Sequence, residues 1–173
     1  PNEMWALGNS LRMARMVSSV MRPASVFVAI VITSASTYTF SSGTFTAQGV
    51  TFVSAQSIEA FWNAVSHFPL LAVGMNCALG PELMRPHIEE LAAVSTTRIS
   101  CYPNAGLPNE MGKYDLGPAK MAELVGEFAD NGWLNVVGGC CGTTPAHIRA
   151  MAQRVASSRP HRRSMAEPYL RLS

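Results

Sequence analysis

The sequence predicts an α/β fold, a parallel sheet whose strands are joined by helical crossovers. The first observation is that short β-branched apolar runs alternate with longer segments of helical periodicity. The second is that no Gly-x-Gly-x-x-Gly follows any strand, which disfavours a dinucleotide-binding doubly wound sheet. The third is length, because a complete (β/α)8 barrel needs about 250 residues. With 173 residues, a barrel chain would be a fragment of one.

Composition excludes several classes of function. The chain is 48% hydrophobic and 14% charged, so it can bury a core and is not a disordered tail. A net charge of +2 argues against a general nucleic-acid surface. Three clustered cations near the C-terminus, Arg159, Arg162 and Arg163, are best explained by a solvated, frayed tail.

The apolar run at residues 24–33 is the main feature of the N-terminal part. It is too short to span a bilayer, which needs about 20 apolar residues. Arginines precede it, but no small-residue cleavage site of a signal peptide follows it. We predict a buried strand here, no membrane contact and a cytoplasmic chain. Residues 1–36 form an atypical segment with room for one helix and one strand.

Two strand–helix pairs follow one another in the middle of the chain. Apolar residues at helical spacing predict a helix over residues 57–68. Residues 70–75 form a continuous apolar run, typical of a fully buried strand. Residues 80–94 form the next helix, with Pro81 in its first turn. Residues 97–101 are again β-branched and predict a second buried strand.

A third unit closes the pattern. Residues 103–117 are rich in turn formers and predict a loop, either a rigid connection or one wall of a site. A helix begins at Pro118 and stops at Asn131-Gly132. Residues 133–137 predict a strand, and the last helix follows a glycine-rich turn, is capped by Thr143 or Thr144 and ends near residue 157.

Three of the four cysteines lie just past strand ends. Cys77 follows the strand at 70–75, and Cys140 and Cys141 follow the strand at 133–137. Parallel strands deliver such loops to one edge, where α/β proteins build their sites. Adjacent side chains of a strand point to opposite faces, so the pair can share an ion only where the chain turns. The glycines around the pair permit that turn.

Three thiolates without a clear fourth ligand fit a catalytic zinc ion, which keeps one coordination position open. Zinc would hold a substrate thiol as a thiolate, the nucleophilic form. Cys101 has no ligand-like neighbour and is interpreted as a small buried hydrophobe. His147 could be a fourth ligand, but a place on the final helix favours a structural or surface role. His67, His87 and His161 lack a ligand context.

Several segments, taken in order, resemble the homocysteine S-methyltransferase family. The shared core is Asn76-Cys77 followed by Gly138-Gly139-Cys140-Cys141-Gly142. Other segments resemble the cobalamin-dependent methionine synthase branch. They are Ala78-Leu79-Gly80-Pro81, the loop at 102–109, Tyr114-Asp115-Leu116, residues 143–148 and, less closely, residues 42–61. The likeness covers about residues 37–157, with an echo at 171–173.

The resemblance implies a partial (β/α)8 TIM barrel, about its last four βα units, in residues 37–157, followed by an extended tail at 158–173. It implies zinc bound by Cys77, Cys140 and Cys141, a substrate contact at Asn76, and no catalytic residue beyond the zinc ligands. The activity implied is methyl transfer to homocysteine, giving methionine. The donor would be methylcobalamin held on a separate domain, so partners would be the cobalamin- and folate-binding domains of a full-length enzyme.

Departures from the family pattern leave three interpretations open. The early barrel strands, with their acidic group for the substrate's amino end, have no counterpart in this sequence, and Ala55 replaces a usual glycine. The chain is therefore expected to be a fragment with weak or no activity alone. The alternatives are a homocysteine methyltransferase using betaine or S-methylmethionine, and a non-catalytic zinc-binding remnant.

Overall fold

The computed structural model describes residues 31–33 and 36–162. Five strands and four helices lie in these residues. The strands are β1 (Val31–Thr33), β2 (Ser36–Gly43), β3 (Leu70–Asn76), β4 (Arg98–Tyr102) and β5 (Val136–Val137). The helices are α1 (Ile58–Val65), α2 (Pro81–Val94), α3 (Pro118–Asp130) and α4 (Pro145–Val155). Among the described residues, no helix combines the length and the apolar character needed to cross a lipid bilayer.

The strands form one sheet in chain order, β1-β2-β3-β4-β5. The β1 strand pairs antiparallel with β2, and every later pair is parallel. The register aligns the carboxyl ends, because Gly43 pairs with Met75 and Asn76 pairs with Tyr102. Each of β2 to β5 is followed by a helix, so the predicted α/β class with four βα units of a barrel is confirmed.

Local sequence explains where the helices begin. Ser57 precedes α1, and its hydroxyl accepts a hydrogen bond from the backbone N–H of Ala60 at 3.2 Å. The other three helices each begin with a proline, whose fixed φ and missing N–H suit the first turn. The prediction that Thr143 or Thr144 caps the last helix is settled in favour of Thr144.

The core lies between the sheet and helices α2 and α3. Its largest fully buried side chains are aliphatic, aromatic and methionine groups from these elements, namely Val73, Met75, Met84, Ile88, Leu91, Ile99, Met121, Val125 and Phe128. Interior positions of β3 and β4 are buried on both faces, as expected for strands covered on two sides. This packing fixes the sheet edge from which the site loops emerge.

Two predicted boundaries were wrong. The helix predicted over 57–68 ends at Val65, because the N–H of Phe68 already closes a turn on the Val65 carbonyl. The strand predicted over 133–137 contains only Val136–Val137. Before it, Trp133 donates to the Phe128 carbonyl and completes the end of α3 instead. The other predicted strands and helices agree with the structure to within one or two residues.

The predictions for the two ends of the chain can be compared with the structure only in part. Residues 31–33 form a strand, as predicted, whereas the rest of the 24–33 run lies outside the described residues, as do the other calls on residues 1–30. After α4 the described chain makes hydrogen bonds as far as His161, and the rest of the predicted tail lies outside the described residues. The N–H of His161 donates to the Leu134 carbonyl at 2.9 Å, and the Asn135 amide donates to the His161 carbonyl at 3.1 Å. Arg159 and Arg162 are exposed, whereas Arg163 lies outside the described residues.

Candidate metal centre

Three loops meet at the carboxyl edge of the sheet, after β3, β4 and β5. The loop after β4 holds the other two in place. The Cys77 N–H donates to the Tyr102 carbonyl at 3.1 Å, and the Cys140 N–H donates to the Pro103 carbonyl at 2.9 Å. The Ala105 N–H donates in turn to the Cys141 carbonyl at 2.9 Å. The two cysteine segments are therefore positioned on one backbone frame.

This frame brings the three predicted thiols together. Cys77 Sγ lies 3.1 Å from Cys140 Sγ and 3.4 Å from Cys141 Sγ, and the vicinal pair is 3.9 Å apart. All three residues are half-buried and none is in a disulfide. Within the described part of the chain, they are the one group of His, Cys, Asp or Glu side chains close enough to share a metal ion.

The backbone at these cysteines departs from strand geometry. Cys77 and Ala78 both have left-handed φ values, 59° and 57°. Such a conformation costs a residue with a side chain about 1–2 kcal/mol. The Leu79 N–H bonds back to the Cys77 carbonyl at 2.6 Å, and the Leu79 carbonyl accepts from the Asn104 N–H at 3.0 Å. The tight turn re-aims Cys77 towards the vicinal pair, and strain of this kind clusters at functional sites.

The turn expected at the vicinal pair is present. Gly142 has φ 77°, which glycine adopts without steric cost. The Thr143 N–H bonds to the Cys140 carbonyl at 3.1 Å and closes a turn around Cys141. Both thiols of the pair therefore face Cys77, which a straight strand would not allow.

The pKa values of Cys77 and Cys140 are shifted in opposite directions. Burial, reinforced by Cys77, raises the pKa of Cys140 to about 12. Burial also opposes ionisation of Cys77, but hydrogen bonds from Cys140 and Cys141 outweigh it and lower the pKa of Cys77. Without an ion, the site thus favours the thiolate of Cys77 and disfavours that of Cys140. A bound divalent ion reverses this preference, because it deprotonates the thiols that coordinate it.

The sulfur geometry fits zinc. A Zn–S bond of about 2.3 Å in tetrahedral geometry places ligand sulfurs about 3.8 Å apart. The observed separations of 3.1 to 3.9 Å need only small side-chain adjustments to reach that value. Three protein thiolates are the ligand number of a catalytic site, because structural zinc sites are closed by four.

The other residues considered as ligands have different roles. Cys101 is fully buried in β4, its thiol points to Met84 Sδ at 3.9 Å, and burial raises its pKa to about 12. The buried His147 ring receives the Thr144 N–H at Nδ1, at 3.2 Å, and lies 2.8 Å from the Leu116 carbonyl through Nε2. Both ring nitrogens are thus used in ordering α4. His161 Nδ1 bonds to the Gly132 carbonyl, at the other end of β5.

Asn76, the predicted substrate contact, lies beside the cysteine cluster at the end of β3. Its Oδ1 accepts from the Ser42 hydroxyl at 2.7 Å, and its Nδ2 donates to Thr44 Oγ1 at 3.2 Å. The side chain is half-buried and joins the ends of β2 and β3. Next to Cys77, the Asn76 side chain therefore forms a polar cluster with Ser42 and Thr44.

Two residues of the β4–α3 loop at the centre were not predicted individually. Asn104 is 3% exposed, and its Oδ1 accepts from the Cys141 N–H at 3.1 Å. Tyr114 lies against Gly142 and Cys141. The turn-rich composition of this loop allowed either a rigid connection or a wall of the site. The structure shows that it is both, because the loop is ordered and supports the cysteines.

Comparison with known proteins gives two findings. A family model described as homocysteine S-methyltransferase matches residues 10–155. Among solved structures, the chain is similar to the homocysteine methyltransferase MmuM from Escherichia coli in its apo form, with 21% sequence identity and a TM-score of 0.48. The similarity covers 61% of this chain and 36% of that chain, so this chain spans little more than a third of that protein's length.

Proposed function

The chain belongs to the homocysteine S-methyltransferase family, and on that premise we propose that it carries the zinc-binding half of an enzyme that methylates homocysteine to methionine. The family model matches most of the chain, residues 10–155. The single observation that carries the proposal is the convergence of Cys77, Cys140 and Cys141, with sulfurs 3.1 to 3.9 Å apart.

The residues of this chain supply a fixed three-sulfur face. Bound zinc would hold the substrate's thiol as a thiolate near neutral pH, which is the form that attacks carbon. The β4–α3 loop keeps Cys77 and the vicinal pair at fixed separations through backbone hydrogen bonds. Asn76 presents an amide beside this face, and we assign it to contact with the substrate's polar end.

The reaction is a displacement at a methyl carbon. The homocysteine sulfur forms a bond to the methyl group while the bond between the methyl group and its donor breaks. The electron pair of that bond stays with the donor, and the thiol proton is released to solvent. The chain's contribution is to position the sulfur, since proximity and alignment of the reacting atoms account for much of the acceleration in such transfers.

We infer that the donor is methylcobalamin carried on a separate domain, with a folate-binding domain to regenerate it. The support is sequence likeness in the loop at 102–109 and in Ala78-Leu79-Gly80-Pro81, which resemble the cobalamin-dependent branch. The alternative donors are betaine and S-methylmethionine. The four free cysteines favour a reducing compartment, and on that ground we place the protein in the cytoplasm.

The chain carries only part of a catalytic barrel. Four βα units follow the antiparallel β1 strand, whereas a complete barrel has eight. We therefore propose that the 173-residue chain binds zinc, and that turnover requires the missing units. A non-catalytic zinc-binding module is the second candidate, because the described residues contain four of the eight βα units of a barrel.

The test is a donor comparison. The chain is assayed with homocysteine and methylcobalamin, betaine or S-methylmethionine, with and without a polypeptide supplying the first four barrel units. We expect methionine only from methylcobalamin and only with that polypeptide present. Cys140→Ser should abolish both zinc content and activity, whereas the matched Cys101→Ser should retain both. Activity from betaine instead would refute the cobalamin assignment, and a zinc-loaded but inactive mixture would favour the non-catalytic module.

A further inference from the structure

The residues that precede the cysteine cluster form one row across the ends of β3, β4 and β5. Asn76 on β3 pairs with Tyr102 on β4. Gly138, directly after β5, continues the row, because a Cβ at this glycine would lie 2.5 Å from Cδ1 of the Tyr102 ring. Tyr102 therefore lies between the strand that leads to Cys77 and the strand that leads to Cys140.

This row lies on the face of the sheet opposite to the helices. Side chains alternate between the two faces of a strand. Met75 and Cys101 are fully buried in the helical core, and Cys101 Sγ lies 3.9 Å from Met84 Sδ on α2. The next residues along the strands, Asn76 and Tyr102, are half-buried and lie on the opposite face. In a barrel that face is the interior, where side chains at the carboxyl ends of the strands build the site.

The Tyr102 ring is held against the end of β5. A Cβ at position 138 would lie 2.5 Å from Cδ1 and 2.7 Å from Cε1 of the ring, so glycine is the residue that leaves room for it. The backbone of Tyr102 also positions the first cysteine, because its carbonyl accepts from the Cys77 N–H at 3.1 Å. Two residues earlier on the same face, Gly74 and Ser100 carry little or no side chain. The ring thus provides apolar surface that these neighbouring positions lack.

We propose that Tyr102 determines substrate specificity, because its ring packs against the methylene chain of homocysteine and selects it over the shorter amino acid cysteine. This inference rests on the proposed function, in which the substrate's sulfur binds zinc and Asn76 contacts its polar end. A substrate held at these two ends crosses the row that Asn76 and Tyr102 share. Cysteine has one methylene group fewer and would contact the ring less. One methylene group in an apolar site changes selectivity by about 10–200-fold.

Variants on the two faces of β4 provide a matched comparison. Tyr102→Ala removes the ring, whereas Tyr102→Phe keeps the ring and removes only the hydroxyl. Cys101→Ala changes the neighbouring residue of the same strand, whose side chain lies on the helical side. Tyr102→Leu keeps an apolar side chain and replaces Tyr102→Ala as the test if that variant does not fold. Circular dichroism and zinc content are measured for every variant.

The experiment measures the affinities of the zinc-loaded full chain for homocysteine and for free cysteine by calorimetry. We expect the wild-type chain to bind homocysteine about tenfold or more tightly than cysteine. Tyr102→Ala should lower this ratio towards one, and Tyr102→Leu should lower it by a smaller factor. Tyr102→Phe and Cys101→Ala should keep the wild-type ratio. Zinc content should stay constant in all four variants, because none of them changes a residue of the cysteine cluster.

The outcomes separate the two proposals. If the wild-type chain binds zinc but not homocysteine, the substrate assignment fails and this inference fails with it. If the wild-type chain binds homocysteine and Tyr102→Ala keeps the same preference over cysteine, the proposed function stands and the role of Tyr102 is refuted. An equal loss of affinity for both amino acids in Tyr102→Ala would show that the ring acts only through packing of the protein, and would also overturn the proposal. Loss of the preference in Tyr102→Phe would assign the selection to the hydroxyl and contradict the role of the ring.

Discussion

Replacing Asn104 by alanine should remove the side-chain hydrogen bond that holds the Cys141 N–H and so weaken the positioning of Cys141. Asn104 is 3% exposed, and its Oδ1 is the acceptor for the Cys141 N–H at 3.1 Å. Its own N–H donates to the Leu79 carbonyl, two residues after Cys77. Asn104 thus connects the two segments that carry the thiols, through its backbone N–H to Leu79 and through its side chain to Cys141. Alanine keeps the backbone bond and removes only the amide.

Two magnitudes follow from these contacts. Leaving a buried donor without a partner costs about 1–3 kcal/mol of folding free energy, and the half-buried position of Cys141 places this case in the lower part of that range. Loss of an outer group that orients a ligand typically weakens metal binding by about 10–100-fold. We expect Asn104→Ala to show both effects.

The control is Asn135→Ala. Asn135 Oδ1 also accepts a backbone hydrogen bond, from the Ile99 N–H at 2.8 Å, but it lies at the opposite end of β5 from the cysteines. Its loss should lower stability by at least as much, because the Asn135 amide also donates to the His161 carbonyl, without changing metal affinity. Stability is measured by urea denaturation of the metal-free chain, and zinc affinity by competition with a chromogenic chelator.

Either of two results would contradict the role assigned to Asn104. Wild-type zinc affinity in Asn104→Ala would show that the side chain does not position Cys141. Equal losses of affinity in Asn104→Ala and Asn135→Ala would show that any loss of stability weakens the site, and that the local hydrogen bond has no special role.

Three further predictions test other parts of the structure. Ala55 has a left-handed φ of 52°, so Ala55→Gly should raise the free energy of unfolding by about 1 kcal/mol in urea denaturation. The control Ala152→Gly, within α4, should lower it by about 1 kcal/mol, and a lower stability of Ala55→Gly would contradict the prediction. Burial lowers the pKa of His161, so folding favours the neutral ring and stability should fall as pH drops below about 6.5; the same pH dependence in His161→Gln would disprove this. Asn76→Ala should weaken homocysteine binding to the zinc-loaded chain about tenfold in calorimetry, while zinc content stays constant. The control Ser42→Ala should have a smaller effect, and unchanged binding in Asn76→Ala would show that Asn76 does not contact the substrate.

Much of the fold follows from periodicity and end signals. The strands at β3 and β4 are continuous apolar runs between turn residues, and Pro81, Pro118 and Pro145 each mark a helix start. The convergence of the three cysteines was also predictable, because parallel strands deliver Cys77 and the vicinal pair to one edge. Glycines around the pair indicated the turn that the structure contains at Gly142.

The parts that sequence did not predict depend on contacts between distant segments. Asn104 and Tyr114 acquire their roles only because the β4–α3 loop folds over residues 140–142, a pairing that has no local signal. The left-handed backbone at Cys77 and Ala78 is similarly enforced by bonds to Tyr102 and Asn104, against the intrinsic preference of both residues. The segment after α4 is held at His161 by bonds to Leu134 and Asn135, which composition alone could not indicate.

The open coordination position of the zinc site is tested by X-ray absorption at the zinc edge, recorded without and with homocysteine. We expect three sulfur ligands and one light-atom ligand in the free chain, because Cys77, Cys140 and Cys141 are the only group of His, Cys, Asp or Glu side chains that converges among residues 31–33 and 36–162. Addition of homocysteine should replace the light atom by a fourth sulfur, as an open catalytic position allows. Zinc that is already coordinated by four protein ligands, or whose ligands do not change when the thiol is added, would contradict an open catalytic site.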